Sequence, residues 1–290
     1  MKIEPDLSIN FDKERMNMID HIPSLLPPGK KWKLVWHDEF DGTELDRTKW
    51  DFRLHLLQTR HKTFTNEGAV LDGKGNLHLM LIEKDGEYYS PHLQTGYNFM
   101  DRPGKQFYEQ NGDMEHPMTW PIAKFQQPKF MHKYGYYEIR CKLQEQEGWW
   151  SAFWLQSPII GASPDPEECG VEVDIMENFT RDNIISHNNH WGGYADDHQH
   201  VGSGDRKLEP TPDGFHVFGL EWNENEYVYY VDGKESWRVS GPVSHHEQFI
   251  LVSTECMGYR TGIHADPKLK KAVLPDAFIV DYVRVFDEVK

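Results

Sequence analysis

Between Tyr137 and Leu143 the apolar residues Tyr137, Ile139, Cys141 and Leu143 alternate with the charged residues Glu138, Arg140 and Lys142. A repeat of two is the period of a β-strand with one dry face, and an α-helix cannot present it to a core. The period recurs near the end, where Ile279, Asp281, Val283 and Val285 alternate with Val280, Tyr282, Arg284 and Phe286. Residues 215–222 and 227–231 are predicted as two strands joined by the polar turn Asn223-Glu224-Asn225-Glu226, and Asp232-Gly233 marks the next turn. No segment carries an amphipathic helix of three turns or more. Short strands with frequent Gly and Pro turns predict an all-β chain folded as a two-sheet antiparallel sandwich.

The chain has 290 residues, a length that one large β-sandwich can use. Residues 1–30 are predicted to be an irregular arm that ends at Pro27-Pro28-Gly29, and residues 31–290 a single domain. The stretches 97–133 and 157–170 read as long loops, which on a rigid sandwich often carry binding function.

Charge narrows the partners. The formal net charge is -16, which argues against nucleic acid, whose binding depends on Lys and Arg neutralising phosphates. No apolar run is long enough to span a membrane, and a monomer is expected. The start, Met1-Lys2-Ile3-Glu4-Pro5, lacks the apolar core of a secretory leader. A cytoplasmic location is expected, or an extracellular or periplasmic one if a leader has been removed. Cys141, Cys169 and Cys256 form no metal-ligand spacing; one disulfide or three thiols remain open.

The segment Gly170-Val171-Glu172-Val173-Asp174-Ile175-Met176-Glu177-Asn178-Phe179 sets three acids in a run that otherwise reads as a buried strand. Glu172 and Asp174 share a face, with Val171, Val173 and Ile175 on the other. Glu177, three beyond Asp174, belongs in the core of a regular strand. A bulge at Ile175-Met176 would absorb one residue and return Glu177 to the acidic face. Two such carboxyl groups are what glycosidic cleavage needs: one to attack the sugar or activate water, one to protonate the leaving oxygen. Crowded carboxylates cannot all ionise freely, so one proton is retained near neutral pH. Spacing alone does not tell which end keeps it. Three solvated acids, with Ca²⁺ bound, is the other reading of the same residues.

Beyond this motif, Trp36-His37-Asp38-Glu39-Phe40-Asp41-Gly42, Tyr134-Gly135-Tyr136-Tyr137-Glu138, Trp150-Ser151-Ala152-Phe153-Trp154 and Val280-Asp281-Tyr282-Val283-Arg284-Val285 complete a pattern. Together with Glu172-Val173-Asp174-Ile175-Met176-Glu177, it resembles glycoside hydrolase family 16 over residues 30–288. The resemblance implies a β-jelly-roll with a concave cleft, and endo-acting, retaining hydrolysis of a β-linked polysaccharide such as a β-1,3-glucan or a β-galactan of the agar or porphyran type. It also assigns roles: Glu172 the nucleophile, Asp174 its assistant, Glu177 the acid/base. A non-catalytic carbohydrate-binding protein on the same fold is the rival, against which all three acids are retained.

The resemblance extends the candidate site. Trp150 and Trp154, four apart on a predicted strand, share a face and fall on the sugar-binding floor, where an apolar ring with a polar edge suits a sugar. His190 is expected to hydrogen-bond substrate or the acid/base, with Trp191 beside it. The group His187, His190, His198 and His200 lacks a zinc spacing. Glu255 lies on a strand where agarase and porphyranase relatives carry a Glu, and is expected to bind a sugar hydroxyl. Glu39 and Asp281 match positions that hold a structural Ca²⁺ in many relatives; no cofactor is expected for catalysis.

Overall fold

The computed structural model describes residues 21–56, 59–60, 62–96, 100–101, 120–121, 127–179, 182–256 and 266–290. The chain is a sandwich of two large sheets. The back sheet runs Lys234–Val239, Tyr227–Val231, His216–Trp222, Gly135–Lys142, Ala277–Glu288, Leu77–Met80 and Ala69–Leu71, and Trp32–Asp38 also pairs with Ala277–Glu288. The cleft sheet runs Gln199–Gly202, Ile184–Trp191, Glu172–Asn178, Trp150–Gln156, Phe249–Glu255, Glu87–Gln94 and Asp51–Phe52. These neighbours pair antiparallel; a two-residue parallel ladder, Phe64–Thr65 with Ser90–Pro91, is the exception. Helix is confined to Pro166–Cys169 and a 3-10 turn at Pro267–Lys271 among the described residues.

Alternation explains the core. Tyr137, Ile139, Phe218, Leu220, Val283 and Val285 of the back sheet meet Phe153, Leu155, Val173, Ile175, Ile250 and Val252 of the cleft sheet in one buried cluster. The predicted hairpin forms with Trp222 opposite Tyr227, and the Asp232-Gly233 turn has φ of 50° and 75°, the left-handed pair a two-residue hairpin requires. The three cysteines are buried free thiols.

Two expectations change. The alternation over residues 279–286 is broken, because Arg140 pairs with Tyr282 while Cys141 pairs with Val280. The extra residue moves the core side from Phe278 and Val280 to Val283 and Val285, and sends Arg284 to the opposite face. Secondly, the wet face of Gly135–Lys142 is covered in part: Glu138 is fully buried. The end of the arm docks there, with Leu25 N donating to Glu138 Oε2 at 2.9 Å and Leu26 packed among Trp32, Tyr136 and Phe286. Residues 1–20 lie outside the described residues, as does most of 97–133.

Arg284 completes this buried polar cluster. Its Nε and Nη2 donate to the two oxygens of Glu39 at 2.9 and 2.7 Å, and its Nη1 donates to Ile22 O and Ser24 Oγ. Burial works to raise the Glu39 pKa, but Arg284 and His37 outweigh it and hold it at about 2. Asp281 is bound instead by Arg140. Both Glu39 oxygens therefore already serve a cation, and Glu39 and Asp281 do not fit a calcium ion, which needs six or more oxygen ligands.

Candidate active site

The site is built on the strand Glu172–Asn178. Trp154 pairs with Asp174 and Phe153 with Met176 on one side; Asn188 pairs with Asp174 and Ser186 with Glu177 on the other. Both neighbours thus skip one residue at Ile175-Met176, where the sequence called for a bulge. Ile175 and Met176 both enter the core, and Glu172, Asp174 and Glu177 all face away from it. A β-bulge does this because the unpaired residue resets the two-residue parity beyond it.

The acids are surrounded closely. Donor atoms of Glu172, Asp174 and His190 lie within 4.8 Å of one another. His190 Nε2 stands 3.3 Å from Asp174 Oδ2, and its Nδ1 is 2.9 Å from His198 Nε2. Burial works to lower the His190 pKa, but Asp174, Glu172 and Glu177 together lift it to about 9. The three carboxyl groups thus favour an imidazolium at His190. Glu172 is lifted to about 7, by burial first and then by the charge of Asp174, against the pull of His190, Tyr194 and Arg53. Burial and Asp174 push Glu177 further, well above the usual carboxylate range. Burial and Asp174 thus favour the protonated form of both glutamates, so the pair tends to keep a proton that two-carboxylate chemistry can use.

Several partners escaped the sequence reading. Asn188 donates to Glu177 Oε2 at 2.7 Å, so the acid/base candidate is held by Asn188 rather than by His190, which pairs with Asp174. Tyr194 donates its hydroxyl to Glu172, and Gln156 Nε2 reaches Glu172 Oε2 at 3.4 Å. Arg53 donates to Gln156 Oε1 at 3.1 Å and lies over the Trp154 ring, 5.5 Å from its centroid. Gln156 was open to inference, since it continues the face of Trp150 and Trp154. Arg53 and Tyr194 carry no such spacing signal.

The aromatic candidates divide. Trp150 and Trp154 share the cleft face, clustered with Ala152, Phe249 and Leu251. Both are almost buried: Trp150 stacks on Phe179 at 5.3 Å, and Trp154 donates to Ser253 Oγ at 3.0 Å. Trp191 packs against the core between the sheets, so its placement beside the substrate is corrected. It follows His190 directly, and period two already sets the two on opposite faces. Glu255 is paired with Trp150 in register and is buried, 3.7 Å from His92 Nδ1, rather than a surface acid.

A comparison with known families decides the relationship: the model of "Glycosyl hydrolases family 16" matches residues 94–264, more than half of the chain. The chain belongs to glycosyl hydrolase family 16. Among similar proteins, the glucan endo-1,3-beta-glucosidase A1 of Niallia circulans is 26% identical over 274 residues, 88% of this chain and 38% of that protein. Beta-porphyranase D of Zobellia galactanivorans is 28% identical over 226 residues, 70% of this chain and 46% of that protein. The chain thus spans less than half the length of these two relatives. The catalytic domain of an endo-1,3-beta-glucanase (laminarinase) from Thermotoga petrophila superposes with a TM-score of 0.63 at 24% identity, over 90% of this chain and 100% of that one, and so shares the fold.

Proposed function

We propose that this family 16 chain is an endo-acting, retaining glycoside hydrolase that cuts internal β-linkages of a polysaccharide, with a β-1,3-glucan as the first substrate to test. The reading is carried by one observation: the bulge sets Glu172, Asp174 and Glu177 on one face with the more strongly raised pKa on Glu177. In the first step the Glu172 carboxylate attacks the anomeric carbon while Glu177 gives its proton to the departing glycosidic oxygen. In the second, Glu177 takes a proton from water, the water oxygen attacks the same carbon, and the bond to Glu172 breaks. His190 supplies positive charge beside Asp174, which keeps a third acid tolerable next to the nucleophile.

A β-galactan is the second substrate reading, supported by the buried Glu255 beside Trp150 and by the porphyranase relative. Reducing-end release from laminarin, mixed-linkage glucan, agarose and porphyran, with products sized, tests both. Short oligosaccharides from laminarin are the expected result. Tight binding to one glycan with no release from any would overturn the reading and leave a carbohydrate-binding protein.

A further inference from the structure

The bulge that turns Glu177 to the cleft leaves a problem on its other side. Ile175 has no register partner on either neighbouring strand, and its side chain is in the core. A buried carbonyl without a partner costs free energy, so something must donate to it. That donor is His187, which is fully buried and faces inward from the adjacent strand, with Nδ1 2.6 Å from Ile175 O. A carbonyl only accepts, so Nδ1 carries the hydrogen; Nε2 then accepts from the Ser236 hydroxyl at 3.0 Å. The ring is also fixed by neighbours, 4.9 Å from Tyr229 and within 4° of parallel with Trp237 at 6.5 Å. Burial lowers its pKa to about 4, so the imidazole is neutral and keeps this pattern near neutral pH. The next residue, Asn188, reaches the opposite face and holds Glu177 Oε2. One dipeptide therefore grips the bulge from below and the carboxyl group from above.

We propose that His187 is a positioning residue for Glu177: by fastening the Ile175 carbonyl it fixes the bulge, and with it the aim of the acid/base. The inference rests on the acid/base reading of Glu177 given above. A residue that merely satisfied a buried carbonyl would affect how much enzyme is folded, and would affect every substrate alike. A residue that aims the acid affects only the step that needs a proton.

The test uses two substrates on each preparation: laminarihexaose, whose leaving sugar must be protonated, and 2,4-dinitrophenyl β-laminaribioside, whose phenolate leaves unaided. The ratio of their kcat/KM values does not depend on the folded fraction. For His187→Leu we expect kcat/KM on laminarihexaose to fall about 10- to 100-fold, the scale set by misplacing a catalytic group, with little change on the dinitrophenyl glycoside. His187→Gln, which keeps an N–H donor, should recover part of the ratio. Ser236→Ala removes the far hydrogen bond while keeping the imidazole, and should lower the ratio in the same direction by a smaller factor. It carries the test alone if His187→Leu fails to fold. An unchanged ratio in the folded variants overturns the inference. Failure of the substrate reading is visible earlier, as wild-type inactivity on both compounds; the pair is then rebuilt on the glycan that the wild type cuts. Wild-type inactivity on every glycan overturns the catalytic reading and this inference together.

Discussion

Asn188 stands opposite Asp174 in register, yet its side-chain amide is given to Glu177. The bulge sets Glu177 opposite Ser186 instead of Ile185, two rungs from Asn188 rather than three, and on the same face as its amide. The hydrogen bond favours the ionised carboxyl and opposes the burial that raises its pKa. Asn188→Ala should therefore move the alkaline limb of the kcat profile to higher pH and lower kcat. A limb at the wild-type position would show that the contact does not act on the proton.

Glu172→Gln should abolish turnover, by at least about 10³-fold, while glycan binding persists, since the amide cannot attack the sugar. Glu177→Ala should recover turnover in azide and yield a β-glycosyl azide. An α-azide would reverse the two assignments, and substantial hydrolysis by the Gln variant would remove Glu172 from the role of nucleophile.

Activity should rise with pH through about 7 as Glu172 ionises. Tyr194 and His190 both favour that ionisation, so Tyr194→Phe should shift the acid limb of kcat/KM upward, measured on a substrate with an activated leaving group. A downward shift would contradict the hydrogen bond seen here.

The same group links activity to stability. Its pKa is raised on folding, so its protonated form is the one the fold favours. The ionised form weakens the fold progressively as pH rises from about 4.5 to about 7. Glu172→Gln should therefore be more stable than wild type at pH 7.5, by about 1–3 kcal/mol after allowance for solvent at the cleft, and equal to it near pH 4. Denaturant unfolding at both pH values checks this.

Glu39 behaves oppositely. Its pKa is depressed, so its pairing with Arg284 is fully present above about 4.5 and is lost as pH falls through about 2. Arg284→Met, which strands the buried Glu39 without this cation, should cost about 3–5 kcal/mol. A chelator such as EDTA should leave the wild-type melting temperature unchanged. A large drop would show that a metal holds this face after all.

The fold was legible wherever a period or a turn was local. The hairpin around Asn223–Glu226 and the bulge at Ile175-Met176 follow from spacing within a few residues. The bulge was visible because an acid stood where parity demanded an apolar side chain. What escaped joins distant positions: Arg284 with Glu39 across 245 residues, Arg53 with Gln156 across 103. No local period records such pairs. The bulge near Asp281 also escaped, although Asp281 and Arg284, charged and three apart, break the period there as Asp174 and Glu177 do.

The bulge has a genetic consequence. Glu177 reaches the cleft because the bulge offsets the odd spacing from Asp174, not through its own identity. Deleting a single codon at Ile175 or Met176 would set the acid two residues beyond Asp174, where a regular strand keeps it on the same face with no bulge at all. One codon therefore separates a bulged strand from a regular one, and both keep the three acids on one face.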